Sequence, residues 1–172
     1  MALILNGDTG ITYPVATATG SATQASAGRV LQVVNTIYTT VVSSNTSNTF
    51  IDSGLTLSIT PSSSTSKILV TVNQATTAGN GGNSENQTVV TLLRGSTNLF
   101  STLSASTDDF FRIYTASSNS TISTYVAFNY LDSPATTSST TYKTQFSMHY
   151  GTTATVQKGG SPSFITLMEI SA

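Results

Sequence analysis

Apolar side chains recur at every second position through much of this chain. Leu55, Leu57 and Ile59 form one such set, Ile68, Val70 and Val72 another. Near the C-terminus Ile122, Thr124, Val126, Phe128 and Tyr130 share a phase, as do Tyr142, Thr144, Phe146, Met148 and Tyr150. A period of two places each set on one face of a β-strand. Longer β-branched and aromatic runs occur from Val30 through Val42, at Thr88–Arg94, at Phe110–Tyr114 and at Phe164–Ile170. Polar clusters punctuate them at 43–48, 61–66 and 95–97, the last followed by a short return at 98–100. No segment has helical periodicity with caps. The pattern predicts an all-β protein of about eight to ten antiparallel strands, a sandwich or barrel, with a jelly-roll-like β-sandwich the first choice. Residues 55–59 and 68–72, joined by the 61–66 turn, read as an antiparallel pair. The glycine-rich stretch from Ala75 to Asn86 reads as a surface loop, with Asn80, Asn83 and Glu85 exposed. Tyr125 and Leu131 fall opposite Phe128 and Tyr130, which leaves apolar surface outside a single sandwich for an oligomer to cover.

Before Arg29 the pattern is different. Leu3-Ile4-Leu5 and Ile11-Thr12-Tyr13 flank Asn6-Gly7-Asp8-Thr9-Gly10, a hairpin signal with a wide loop. Residues 15–28 then offer only Ala, Thr, Gly, Ser and similar small or polar groups around one Val and one Gln. The chain therefore divides into an N-terminal docking arm and strap, 1–28, and a sandwich domain, 29–172. A two-stranded hairpin alone is marginal in water. Leu3, Ile4, Leu5, Asn6, Gly7, Ile11 and Tyr13 are accordingly the candidate docking residues, lying either against the chain's own oligomer or against the edge of another protein.

Composition removes several functional classes. Charged residues make up 8% of the 172 residues, against roughly 25% in an ordinary domain. Polarity comes instead from 27 Ser, 33 Thr and 11 Asn. Six scattered Lys and Arg form no basic stripe, which argues against nucleic acid as a partner. No apolar run approaches the ~20 residues of a membrane helix, and the short apolar start lacks the features of a secretion signal. Without cysteine there is no disulfide or thiolate metal site. Sequons at Asn45, Asn86 and Asn119 are the chance product of a Ser/Thr-rich chain.

Candidate chemistry is sparse. The one histidine, His149, shares the Lys143, Gln145 and Ser147 face and reads as a surface or inter-subunit hydrogen-bonding group. Asp108-Asp109 read as a solvated loop rather than a calcium site. Asp132 ahead of Pro134, Asp52 beside Ser53-Gly54, and Glu85 read as turn residues. The Gly79–Asn83 run lacks the lysine and helix of a phosphate loop. The expectation is no catalytic residue, no cofactor, no metal, and hence no enzyme. So few ionisable groups also predict stability that varies little with moderate pH.

LILNGDTGI at the start is similar to the opening of many tail-fibre and other virion proteins of tailed bacteriophages. GRVLQVVNT, LTLSITPSSSTSKILVTVN, TLLRGSTNLF, YLDSPATTSSTTYKTQF and FITLMEISA together resemble a β-rich domain of phage structural proteins, including those of cyanophages. The resemblance implies a virion protein assembled in the host cytoplasm, a jelly-roll-like sandwich and a homotrimer. Two roles follow from it. One is a capsid decoration or cement protein whose arm docks on the major capsid protein or another virion protein. The other is a short tail fibre or spike whose head binds a host-surface glycan. The chain carries no stalk repeat, which favours decoration, whereas clustering of Tyr114, Tyr125 or Tyr150 at an exposed site would favour glycan binding.

Overall fold

A computed structural model of the chain describes residues 4–6, 10–12, 28–79, 86–100, 112–115 and 121–172. The first two strands, β1 (Ile4–Asn6) and β2 (Gly10–Thr12), pair antiparallel as a sheet of their own, with Leu5 opposite Ile11. The two strands of the expected hairpin are thus paired; residues 7–9 between them lie outside the described residues.

The body is a sandwich of two antiparallel sheets. The first contains β3 (Val30–Tyr38), β4 (Val42–Ser44), β6 (Lys67–Gly79), β10 (Ile122–Asp132), β12 (Thr153–Val156) and β13 (Ser163–Ile170). The second contains β5 (Ile51–Ile59), β7 (Asn86–Arg94), β8 (Thr97–Asn98), β9 (Arg112–Thr115) and β11 (Thr140–Met148). One edge of β6 pairs with β10 along its length; the other is shared in tandem by β13 and then β12, with β3 and β4 beyond them. Successive strands cross from sheet to sheet, except from β3 to β4, from β7 to β8 and β9, and from β12 to β13. The resulting orders, β3-β13-β6-β10 and β5-β11-β7-β9, are those of a jelly roll.

Inward phases follow the alternation in the sequence. Leu55, Ile59, Ile68, Val70, Val72, Val126, Phe128, Tyr142, Phe146, Ile165 and Leu167 are all buried and meet between the sheets. Phe100 adds edge-to-face ring contacts with Phe128 and Tyr130, at centroid distances of 5.3 and 5.5 Å.

Three expectations are corrected. Residues 51–59 and 67–72 are not paired: β5 hydrogen-bonds to β11, and β6 belongs to the opposite sheet. Both strands have one apolar face, and those faces meet across the sandwich rather than side by side. The connection at 60–66 is long enough to cross the ~10 Å between sheets. Next, the loop expected from Ala75 is strand as far as Gly79, with Ala75 and Ala78 buried; residues 80–85, with Asn80, Asn83 and Glu85, lie outside the described residues. Finally, Ser53-Gly54 is not a turn. On β11 the register steps two residues, from Lys143 to Gln145, while β5 steps four, from Thr56 to Asp52. Ser53-Gly54 is the resulting bulge. Gly54 has φ +83° there, and a Cβ on it would come within 2.3 Å of the Tyr38 ring.

Candidate functional site

Two of the acids are built into the scaffold. Asp132 is not a turn residue: it is a buried group at the end of β10, where both carboxylate oxygens accept from Arg94 Nη1 at 2.8 Å and Oδ2 accepts from the Tyr142 hydroxyl at 2.6 Å. Those partners lie on β7 and β11, so Asp132 ties the two sheets together at one end. Burial, reinforced by Asp132, raises the Tyr142 phenol well above its ordinary range.

Glu169 is fully buried on β13. It accepts from Gln32 Nε2 at 2.6 Å and from the Ser62 amide and hydroxyl at 2.8 and 2.6 Å. Burial by itself would raise its pKa, but these donors together hold it at about 2. Its role is to pin the sheet-crossing connection.

Asp52 projects outward from β5 and accepts from Lys143 and Gln145 at 2.8–2.9 Å. The Lys143 hydrogen bond holds it below the usual carboxylate range. His149 shares a 2.6 Å hydrogen bond with Asn48 at the surface, and its ring lies 3.9 Å from that of Tyr150. Among the described residues no three His, Cys, Asp or Glu gather as metal ligands. Asp108 and Asp109 lie outside the described residues.

Two surfaces remain, both on the outer face of the first sheet. One is an apolar row. Leu131 on β10 is opposite Leu69 on β6, Leu69 is opposite Met168 on β13, and Met168 is opposite Val33 on β3. Leu131 and Val33 are 51% and 54% exposed, and Val30 and Leu31 extend the patch. A polar row, Asn129-Thr71-Thr166-Asn35, runs beside it.

The other surface is a groove of about 410 Å³ at the far end of the same face, lined by Ala75, Thr77, Ser123, Tyr125, Lys158 and Ser161 together with Thr76 and Thr124. It arises where β12 gives way to β13 along the edge of β6. The former ends opposite Thr76 and the latter begins its pairing at Asn73. The intervening chain leaves the sheet in a 3-10 turn, Lys158–Gly160, which forms one wall. Tyr125, opposite Ala75 on β10, is a lining residue that remains 47% exposed.

The turn is fixed from beneath. Gln157 adopts a left-handed conformation, φ 54°, which is costly for a residue with a Cβ. Its side chain is fully buried, donating to the Thr40 and Val156 carbonyls and accepting from Ser163 Oγ and Gln74 Nε2. Ser163 Oγ also accepts from the Ala75 amide at 2.9 Å, while Thr144 donates to Gln74 Oε1 at 2.7 Å and bonds to Ser53. This network was not foreseen. The signal for it was that Gln74 continues the inward phase of Ile68, Val70 and Val72.

Of the predicted docking residues, Ile4, Leu5, Asn6 and Ile11 lie on the two paired strands of the hairpin; Leu3, Gly7 and Tyr13 lie outside the described residues. Of the three tyrosines considered for stacking, Tyr125 lines the groove and Tyr150 does not. No protein-family model matches the chain, and no curated protein matches it either.

Proposed function

We propose that this chain is a non-enzymatic structural protein of a tailed-bacteriophage particle, a capsid decoration or cement protein. In this reading the jelly-roll bodies associate as a homotrimer through the outer face of the first sheet. The N-terminal hairpin docks on the major capsid protein or another virion protein at the particle surface. The observation that carries the reading is the apolar row Leu131-Leu69-Met168-Val33, which crosses four strands and faces outward. Patches of this kind mark protein contacts; the four residues of the row carry no charge, and Lys67 flanks them beyond Ile170. The resemblance of the segments quoted above to phage structural proteins supplies the context and the threefold state. The hairpin supports the docking element, because two short strands need a surface to lie on.

A short tail fibre or spike head is the second reading, favoured by the exposed Tyr125 in its groove. Quantitative mass spectrometry of purified particles separates the two. Hundreds of copies per particle are expected for cement, and a few dozen or fewer would overturn it in favour of a fibre. Deleting residues 1–14 should leave a folded body that no longer joins the particle; incorporation of the truncated chain would remove the docking role.

A further inference from the structure

We propose that the groove between Tyr125 and the Lys158 turn binds an acidic saccharide, a sugar bearing a carboxylate. The inference does not rest on the virion reading and goes beyond it.

Three features of the groove specify the ligand class. Tyr125 presents an exposed aromatic surface of the kind that covers the C–H face of a sugar ring. On the floor, the Thr77 and Ser123 hydroxyls lie 2.8 Å apart and bond to each other. That mutual bond uses one of their two donor hydrogens, so one donor and several lone pairs remain for ligand hydroxyls. On the wall, Lys158 is exposed and has no ion-pair partner among the described residues. A single ammonium calls for a single anionic group. It is too little charge for a nucleic-acid backbone, which is tracked by several cations. Hydroxyls beside an aromatic surface also suit a polyhydroxylated ligand better than an apolar one, which would leave polar floor groups unpaired.

The site is also pre-organised. Residue 158 is held by the neighbouring Gln157, whose strained backbone is over-determined by four buried hydrogen-bonding contacts. Backbone strain held by a buried network clusters at ligand-binding positions, and here it fixes the backbone from which Lys158 projects. The backbone of the wall exists before the ligand arrives, so the ordering cost is confined to side chains such as Lys158. The volume of about 410 Å³ falls within the ~300–1,000 Å³ usual for small-molecule sites.

The test uses the full chain on an array of carboxylated oligosaccharides printed beside their neutral counterparts, followed by calorimetry on the best-bound pair. Carboxylated members should be captured, with affinity at least about tenfold above the neutral sugar, equivalent to about 1.4 kcal/mol. Lys158→Gln should erase that preference while leaving the neutral sugar's affinity within about twofold. Tyr125→Ala should weaken both at least about tenfold, and Tyr125→Phe should retain both. Capture of no carboxylated saccharide, equal affinity for the neutral partner, or binding indifferent to both Lys158→Gln and Tyr125→Ala would overturn the proposal. Both side chains are exposed, and unchanged melting temperatures would confirm that the variants fold.

Discussion

The two sheets distribute their polar and apolar groups in opposite ways. The second sheet is conventional outside: Asp52, Thr56, Ser58, Thr141, Lys143 and Gln145 face outward, joined by the Asp52–Lys143 ion pair and a 2.7 Å bond between Ser58 and Thr141. The first sheet sets an apolar row beside its polar one outside and keeps its acids inside. Its acids, Asp132 and Glu169, are buried, while Val33, Leu131 and their neighbours point away from the core. Charge placed inside must be fully partnered, and each of these carboxylates has at least two donors. Apolar surface placed outside is the usual mark of a contact face, which the proposed trimer would use. The contrast shows that a chain with only 8% charged residues still commits two of its seven acids to internal ties.

The strongest way to break this contrast is to attack the buried acid. Asp132→Ala should cost about 3 kcal/mol, because it leaves the Tyr142 hydroxyl and Arg94 without their shared acceptor. An unfolding free energy from denaturant titration lowered by less than about 0.5 kcal/mol would show that the inter-sheet tie is unimportant. Next comes the outer row. Val33→Glu with Leu131→Glu places like charges on the proposed contact and should weaken self-association at least about 100-fold, or about 2.7 kcal/mol, with the monomer still folded. The matching change on the second sheet, Ser58→Glu, should leave the sedimentation profile unaltered. If both variants behave alike, the first sheet's face is not the contact.

Third is acid. Glu169 has an ordinary pKa near 4.5 and is held at about 2 in the fold. A depressed carboxylate contributes stability that is fully present above about 4.5 and is lost as pH falls toward 2. Thermal melts should therefore be flat from pH 5.5 to 8 and lose on the order of 2–3 kcal/mol on descending to pH 2. Glu169→Gln should remove that component of the acid dependence. An equally steep loss in the variant would assign it elsewhere. The smallest effect belongs to the exposed pair. Asp52→Ala should cost about 0.5 kcal/mol or less and shrink further in 1 M salt, because the carboxylate is more than half exposed.

Strand identity and facing were legible because a period of two is a local property. Val126, Phe128, Tyr142 and Phe146 could be assigned to the core from spacing alone, and Tyr125 and Leu131 to the outside. Strand partnership was less so. Two alternating strands with a short connection look the same whether they pair in one sheet or face each other across two, as β5 and β6 do. The polar residues misled for a related reason. Asp52, Ser53, Gly54 and Asp132 are turn-forming types, but a bulge and a buried ion pair use the same residues. The groove was hardest to see, since its wall, floor and anchor come from residues 157–161, 75–77, 123–125 and 163. Only the tandem packing of β12 and β13 against β6 assembles them.

That tandem arrangement also governs the order in which the protein can form. β6 is complete once residue 79 has been made, yet the strands along one of its edges are residues 153–156 and 163–170. β3, at 30–38, finds its sheet neighbour only in the last of these. At ~5–20 residues per second, both strands wait several seconds on the ribosome with unpaired, β-branched edges. The first sheet, with its apolar outer face, is therefore complete only when synthesis reaches residue 170, and a chain stalled before that point would expose the edges most prone to aggregation.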